Sequence, residues 1–217
     1  WLAFYLARVV TLLFGVLLVL GVYALVRQIW PQPREVALGA AFLVALTPQV
    51  LFIGSMVSND VPAAALSTLA LWLFARELQH GSNRSAWWGT AVGLILGLAG
   101  LTKVNAFTLI LPLGLGLMWL WLSGRRSFGQ VILFGLAFSA GLSLSAGWWL
   151  GRSWWLYGSP VGLDPHDQTP WAISAGAKLD PFLLRWKDVW RSYWLSLGWG
   201  TIRLGPWPGG WPYTVLF

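Results

Sequence analysis

The spacing of apolar blocks constrains this chain more than any other feature. Six of them follow one another, over roughly 2–26, 36–57, 62–79, 86–102, 104–122 and 130–150, separated by short polar breaks. Each comes close to the length a helix needs to cross a hydrocarbon core, about 20 residues. The third and fourth are short, and flanking Trp and Arg side chains can anchor short helices at the interface. Charged residues make up only 10% of the chain and mean hydropathy is +0.66, where ordinary globular chains carry about 25% charge. A soluble domain is excluded. The expected fold class is all-α, a polytopic transmembrane bundle of about six helices.

Composition removes several functions. Cysteine is absent, and the two histidines are His80 and His166, so no disulfide, Cys-ligated metal site or His-rich centre is available. The formal charge of +7 does not mark a nucleic-acid binder, because no basic stripe, zinc-finger spacing or Walker-type loop accompanies it. In a membrane chain a basic surplus belongs where segments meet the cytoplasm. The chain starts and stops inside apolar runs, WLAFYLARVV and YTVLF. It shows no charged region followed by a small-residue cleavage site, and is expected to be an internal stretch of a longer protein.

The Lys/Arg distribution predicts direction. Arg27 and Arg34 bracket the first break, Arg76 and Arg84 the third, Arg125 and Arg126 the fifth. Those three loops are expected to be cytoplasmic. The turns at 58–61 and 102–105, which hold Asp60 and Lys103, then fall on the outer side, as do the start of the first helix with Arg8 and everything after about residue 150. The chain therefore divides into a bundle over 1–150 and an extracytoplasmic cap over 151–217. Eleven of the 18 tryptophans lie between Trp148 and Trp211. Within the cap, PFLLRWKDVWRSYWLSL at 181–197 puts Trp186, Trp190 and Trp194 four residues apart, the spacing of an interfacial helix lying flat on the membrane. Those rings either anchor the cap or line a substrate groove. In the bundle, the Gly-rich face GLILGLAG at 93–100 is expected to permit close helix packing, and the TKVN break at 102–105 a tight hairpin.

Four stretches, in order over about residues 5–215, carry a resemblance: FLVALTPQVLFIGSMVSNDVPAAALSTLALWLFAR, GLILGLAGLTKVNAFTLILPLGL, GRSWWLYGSPVGL and YWLSLGWGTIRLGPWPGGW. Together they resemble polytopic glycosyltransferases of the GT-C superfamily, in particular the dolichyl-phosphate-mannose protein mannosyltransferase-like group and related bacterial membrane proteins. The resemblance implies an inverting enzyme of a bacterial plasma membrane that passes a sugar from a polyprenyl-phosphate carrier to an extracytoplasmic acceptor. Its catalytic acid is expected upstream of Trp1. Where relatives often have Asn and Asp, GRSWWLYGSP has Ser153 and Ser159, a departure that weakens the implied polar contacts.

Such a reaction needs a carboxylate near the acceptor and cations on the departing lipid phosphate. Lys103 is the only basic residue in the two short outer turns, and either contacts phosphate or snorkels as an anchor. Thr102 and Asn105 beside it either donate hydrogen bonds to substrate or cap a helix. Asp60, with Asn59 and Ser58, either caps the helix that Pro62 begins or serves the reaction as a helper rather than the base. In that role it orients the acceptor, binds a divalent ion, or pairs with Lys103 or Arg8. Arg8 and Arg152 are further phosphate-binding candidates, and Asn59 and Asn105 complete the substrate-binding set. Asp164, His166 and Asp167 in DPHDQ form either a turn or, with Asp60, candidate metal ligands; a divalent cation is the one cofactor implied.

Two other classes compete. A secondary transporter should place charges near the bilayer midplane and show inverted halves, and neither is evident here. A non-catalytic structural subunit of a larger membrane complex, derived from the same family, would suit the Trp-rich cap and the serine replacements.

Overall fold

The computed structural model describes residues 1–80, 85–161, 196–197 and 202–203. The described fold is an all-α bundle: α1 (Leu2–Ile29), α2 (Arg34–Leu46), α3 (Pro48–Gly54), α4 (Asp60–His80), α5 (Ser85–Thr102), a 3-10 turn (Val104–Leu109) running into α6 (Ile110–Leu122), and α7 (Phe128–Leu142), which passes through a π turn (Ser143–Gly147) into α8 (Trp148–Tyr157). Two short strands, β1 (Ser196–Leu197) and β2 (Ile202–Arg203), pair antiparallel. The helix expected over 181–197 otherwise lies outside the described residues, as do Asp164, His166 and Asp167.

Four spans are long and apolar enough to cross a membrane: α1, most of α4, the 3-10 turn with α6, and the continuous run from Phe128 to Tyr157. α2 and α3 make a fifth only if taken as one broken span, since they meet at 60°. The single helix expected over 36–57 is thus corrected. Pro48 has no N–H to continue the ladder and pushes the residue before it out of the helical region; Thr47 accordingly sits at φ −62°, ψ 121°. α5 is apolar but shorter than the other spans. The last span also runs on past 150, to Gly158 at φ +68°, where glycine ends the helix in the left-handed region.

The core lies where α4, α5 and α7 meet: Ala70, Leu73, Phe74, Val92, Leu96, Ala99 and Phe134 are buried together, with Phe74 edge-on to Phe134 at 5.9 Å. Glycine makes the α5–α7 contact possible. A Cβ added at Gly93 would stand 2.0 Å from the Phe138 carbonyl oxygen, and one at Gly141 2.1 Å from that of Thr90. The two backbones touch where no side chain fits. α1 and α4 run parallel, Gly15 beside Val61, Gly21 beside Thr68, and Gln28 hydrogen-bonded to Gln79. The expected tight hairpin at 102–105 forms only in part. Phe107 of the 3-10 turn folds onto Gly100, and α5 packs on that turn rather than along α6.

Candidate functional site at one end of the bundle

The local sequence explains how Asp60 is presented. Residues 55–59 break the helical path after α3, and Val61-Pro62 restarts it, proline being suited to a first turn. Asp60 is the first residue of α4 and donates its backbone N–H to Ser58 Oγ at 3.1 Å. Ser58 Oγ also donates to Asp60 Oδ2 at 3.2 Å, while Lys103 Nζ donates to Oδ1. Both carboxylate oxygens are therefore engaged by side chains, and of the three expected caps it is Ser58 whose hydroxyl holds the first backbone N–H of α4.

Lys103 is brought there by the break it occupies. Its extended backbone, φ −154° and ψ 120°, separates α5 from the 3-10 turn and turns its side chain toward the start of α4. A second tether lies beside the first: Asn59 Nδ2 donates to the Thr102 carbonyl at 2.9 Å. Neither Thr102 nor Asn105 acts as the expected cap. The Thr102 hydroxyl turns back to the Ala99 carbonyl at 2.6 Å, and no side chain caps the 3-10 turn. The Asn105 side chain is exposed, its backbone carbonyl accepting from Thr108 Oγ1 at 2.7 Å. The Lys103–Asp60 pair remains open to its surroundings, with side chains 43% and 25% exposed.

The other named cations stand apart from this pair. With Gly15 level with Val61, Arg8 lies seven residues farther along α1, about 10 Å beyond Asp60 at 1.5 Å per residue. Its guanidinium stacks over Phe4 at 4.7 Å, and its Nε is buried without a hydrogen-bond partner among the described residues. Arg152 sits inside α8, exposed. The α5–α7 pairing of Gly97 with Ser145, carried along the helix, sets Arg152 roughly level with the 102–105 turn. Ser153, by contrast, is buried at 3% exposure. That serine thus faces the bundle.

Among the described residues no three acids or histidines gather. Asp60 offers a single carboxylate, shared by an ammonium and a hydroxyl, so a divalent ion at this end would draw most of its oxygen shell from water and substrate phosphate.

Sequence reasoning missed a second ion pair at the opposite end of α4. Arg126 Nη2 donates to Glu77 Oε1 at 2.9 Å and to the Glu77 carbonyl at 3.1 Å, with side chains 7% and 3% exposed. Close by, Arg76 stacks on Trp72 and Trp88 at 5.6 and 5.4 Å. The available signal was an acid in the last turns of an apolar helix, which needs a partner wherever it is buried.

Apolar spans with charges confined to their ends define an integral, polytopic membrane protein. A family model described as dolichyl-phosphate-mannose-protein mannosyltransferase matches residues 4–150, and the chain belongs to that family. The match supports glycosyl transfer of the GT-C type as the general class of activity. No curated protein and no solved structure matches the chain.

Proposed function

We propose that this chain belongs to a bacterial plasma-membrane glycosyltransferase that moves a sugar from a polyprenyl-phosphate carrier to an extracytoplasmic acceptor with inversion, and that Lys103 receives the carrier phosphate. The observation that carries the reading is the exposed Lys103–Asp60 pair at one end of an apolar bundle. An ammonium there meets a phosphate at the edge of the lipid without either charge crossing the hydrocarbon.

The reaction breaks the bond between the sugar's anomeric carbon and a phosphate oxygen and forms one from that carbon to the acceptor oxygen or nitrogen, whose proton passes to a carboxylate base other than Asp60. Charge builds on the departing phosphate, where a fixed cation stabilises it. Lys103 does this by exchanging one anionic partner, Asp60 Oδ1, for another. The exchange releases a carboxylate oxygen beside the reacting groups, free to orient the acceptor. Asp60 is a helper in this scheme, because both its oxygens are committed before substrate arrives. Arg8 and Arg152, set apart from the pair, are left to meet the carrier phosphate before it reaches Lys103, and the exposed Asn105 offers it an amide.

The test uses the full-length protein in nanodiscs. Lys103→Ala should weaken polyprenyl-phosphate binding about ten- to a hundred-fold, as loss of one charge-assisted hydrogen bond implies, and Lys103→Arg should recover part of it. Unchanged carrier affinity in a folded Lys103→Ala protein reduces Lys103 to an anchor. Sidedness is tested separately. The chain has no cysteine, so Asn105→Cys should react with an impermeant thiol reagent from outside the cell and Ser123→Cys should not. The reverse pattern overturns the extracytoplasmic assignment.

A further inference from the structure

α6 and α7 are joined by a short loop yet touch little, because α7 packs along α5 instead. The result is an apolar groove of about 410 Å³. Leu117, Met118 and Trp121 line it from α6, Val131 and Leu136 from α7. Trp121 and Phe128, 5.6 Å apart, close its loop end. The groove runs from Phe128 to Ser139, about 16 Å of helix rise. That is half of a hydrocarbon core of about 30 Å, the depth of one leaflet. A membrane helix would need a groove across the whole core; this one ends halfway.

Charge at the mouth identifies the occupant further. Arg125, in the loop beside the Trp121–Phe128 closure, is exposed and held by its own side-chain contact, its guanidinium 4.7 Å over the Trp119 ring. Among the described residues no carboxylate pairs with it. Its neighbour Arg126 is neutralised by Glu77. One uncompensated cation therefore stands at the head-group level of a slot one leaflet deep. We propose that the α6–α7 groove holds one acyl chain of an anionic phospholipid from the leaflet that the 123–127 loop faces, with the phosphate on Arg125. This site lies at the far end of α6 from Lys103 and is independent of the carrier reading.

Two glycines make it testable. A Cβ at Gly114 or Gly135, both lining the groove, meets nothing within 4 Å, so a larger side chain fills the slot without moving the protein. Full-length protein is released from nanodiscs of mixed phosphatidylglycerol and phosphatidylcholine, and retained lipid is counted by native mass spectrometry. The wild type should keep one phosphatidylglycerol. Gly135→Leu and Gly114→Leu should each lose it while melting at or above the wild-type temperature. Arg125→Gln should keep a lipid but lose about five-fold of the preference for the anionic head group, the worth of one Arg at an anionic surface. Retention without head-group preference, or retention unchanged in both leucine variants, overturns the proposal. So does a leucine variant that changes the number of protein copies and leaves the lipid in place, since the groove is then an interface between chains.

Discussion

α4 carries an ion pair at each end, and the two are chemically alike: a carboxylate on α4 joined to a cation in a later turn. Asp60 meets Lys103 across 43 residues, and Glu77 meets Arg126 across 49. They differ in burial. The Glu77–Arg126 side chains are at most 7% exposed, and Arg126 also holds the Glu77 backbone carbonyl. The Lys103 side chain is 43% exposed and gives one donor to one oxygen. Enclosed charges have no other solvent, and removing one strands the other. An open pair is worth about 0–1 kcal/mol, so its cation can exchange partners at little cost. Burial, not pairing, separates the fixed pair from the exchangeable one.

The comparison breaks first, and most heavily, at the buried end. Glu77→Ala should destabilise the folded protein by about 3–5 kcal/mol, read as a large drop in melting temperature in detergent. A drop no larger than that of Lys103→Ala would mean that burial does not set the two pairs apart. At the open end Lys103→Ala should change stability by no more than about 1 kcal/mol, while carrier affinity falls as given above. The smallest effect sharpens the exchange idea. Asp60→Asn keeps the side-chain shape but removes the competing anion, so Lys103 should bind the carrier phosphate roughly five-fold more tightly, about 1 kcal/mol for one near-surface charge. Weaker binding would mean that Asp60 positions Lys103 and does not compete for it. Titrating a carrier analogue into each purified variant reads all three signs.

The sequence and the structure agree where one property decides. Four of the six expected spans appear near the positions that apolar length marked. The close packing expected of the glycines at 93–100 appears because a Cβ at Gly93 or Gly97 would stand 2.0 Å from atoms of the last span. Agreement fails where the outcome depends on a distant partner. Nothing local tells whether Asp60 bonds a backbone N–H or Lys103, and that choice is made by the break at 102–103 bringing an ammonium within reach. Arg126 was legible as a topological marker but not as a buried partner of Glu77. The bend after Thr47 was a different case. Its Thr-Pro signal was local, and the apolar run across it masked it.

The parallel offset of α1 and α4 bears on the membrane itself. α1 has 28 residues and the span from Phe128 to Tyr157 has 30, about 42 and 45 Å at 1.5 Å per residue, whereas α4, with 21 residues, covers about 31 Å. The protein is thus taller on two flanks than along the helix that carries Asp60. At about 31 Å α4 matches a hydrocarbon core of about 30 Å, so the excess length lies on the two longer flanks, which tilt or stand proud of the bilayer. Arg8, about 10 Å beyond Asp60 along α1, then rises above the level at which the first turn of α4 meets the head groups.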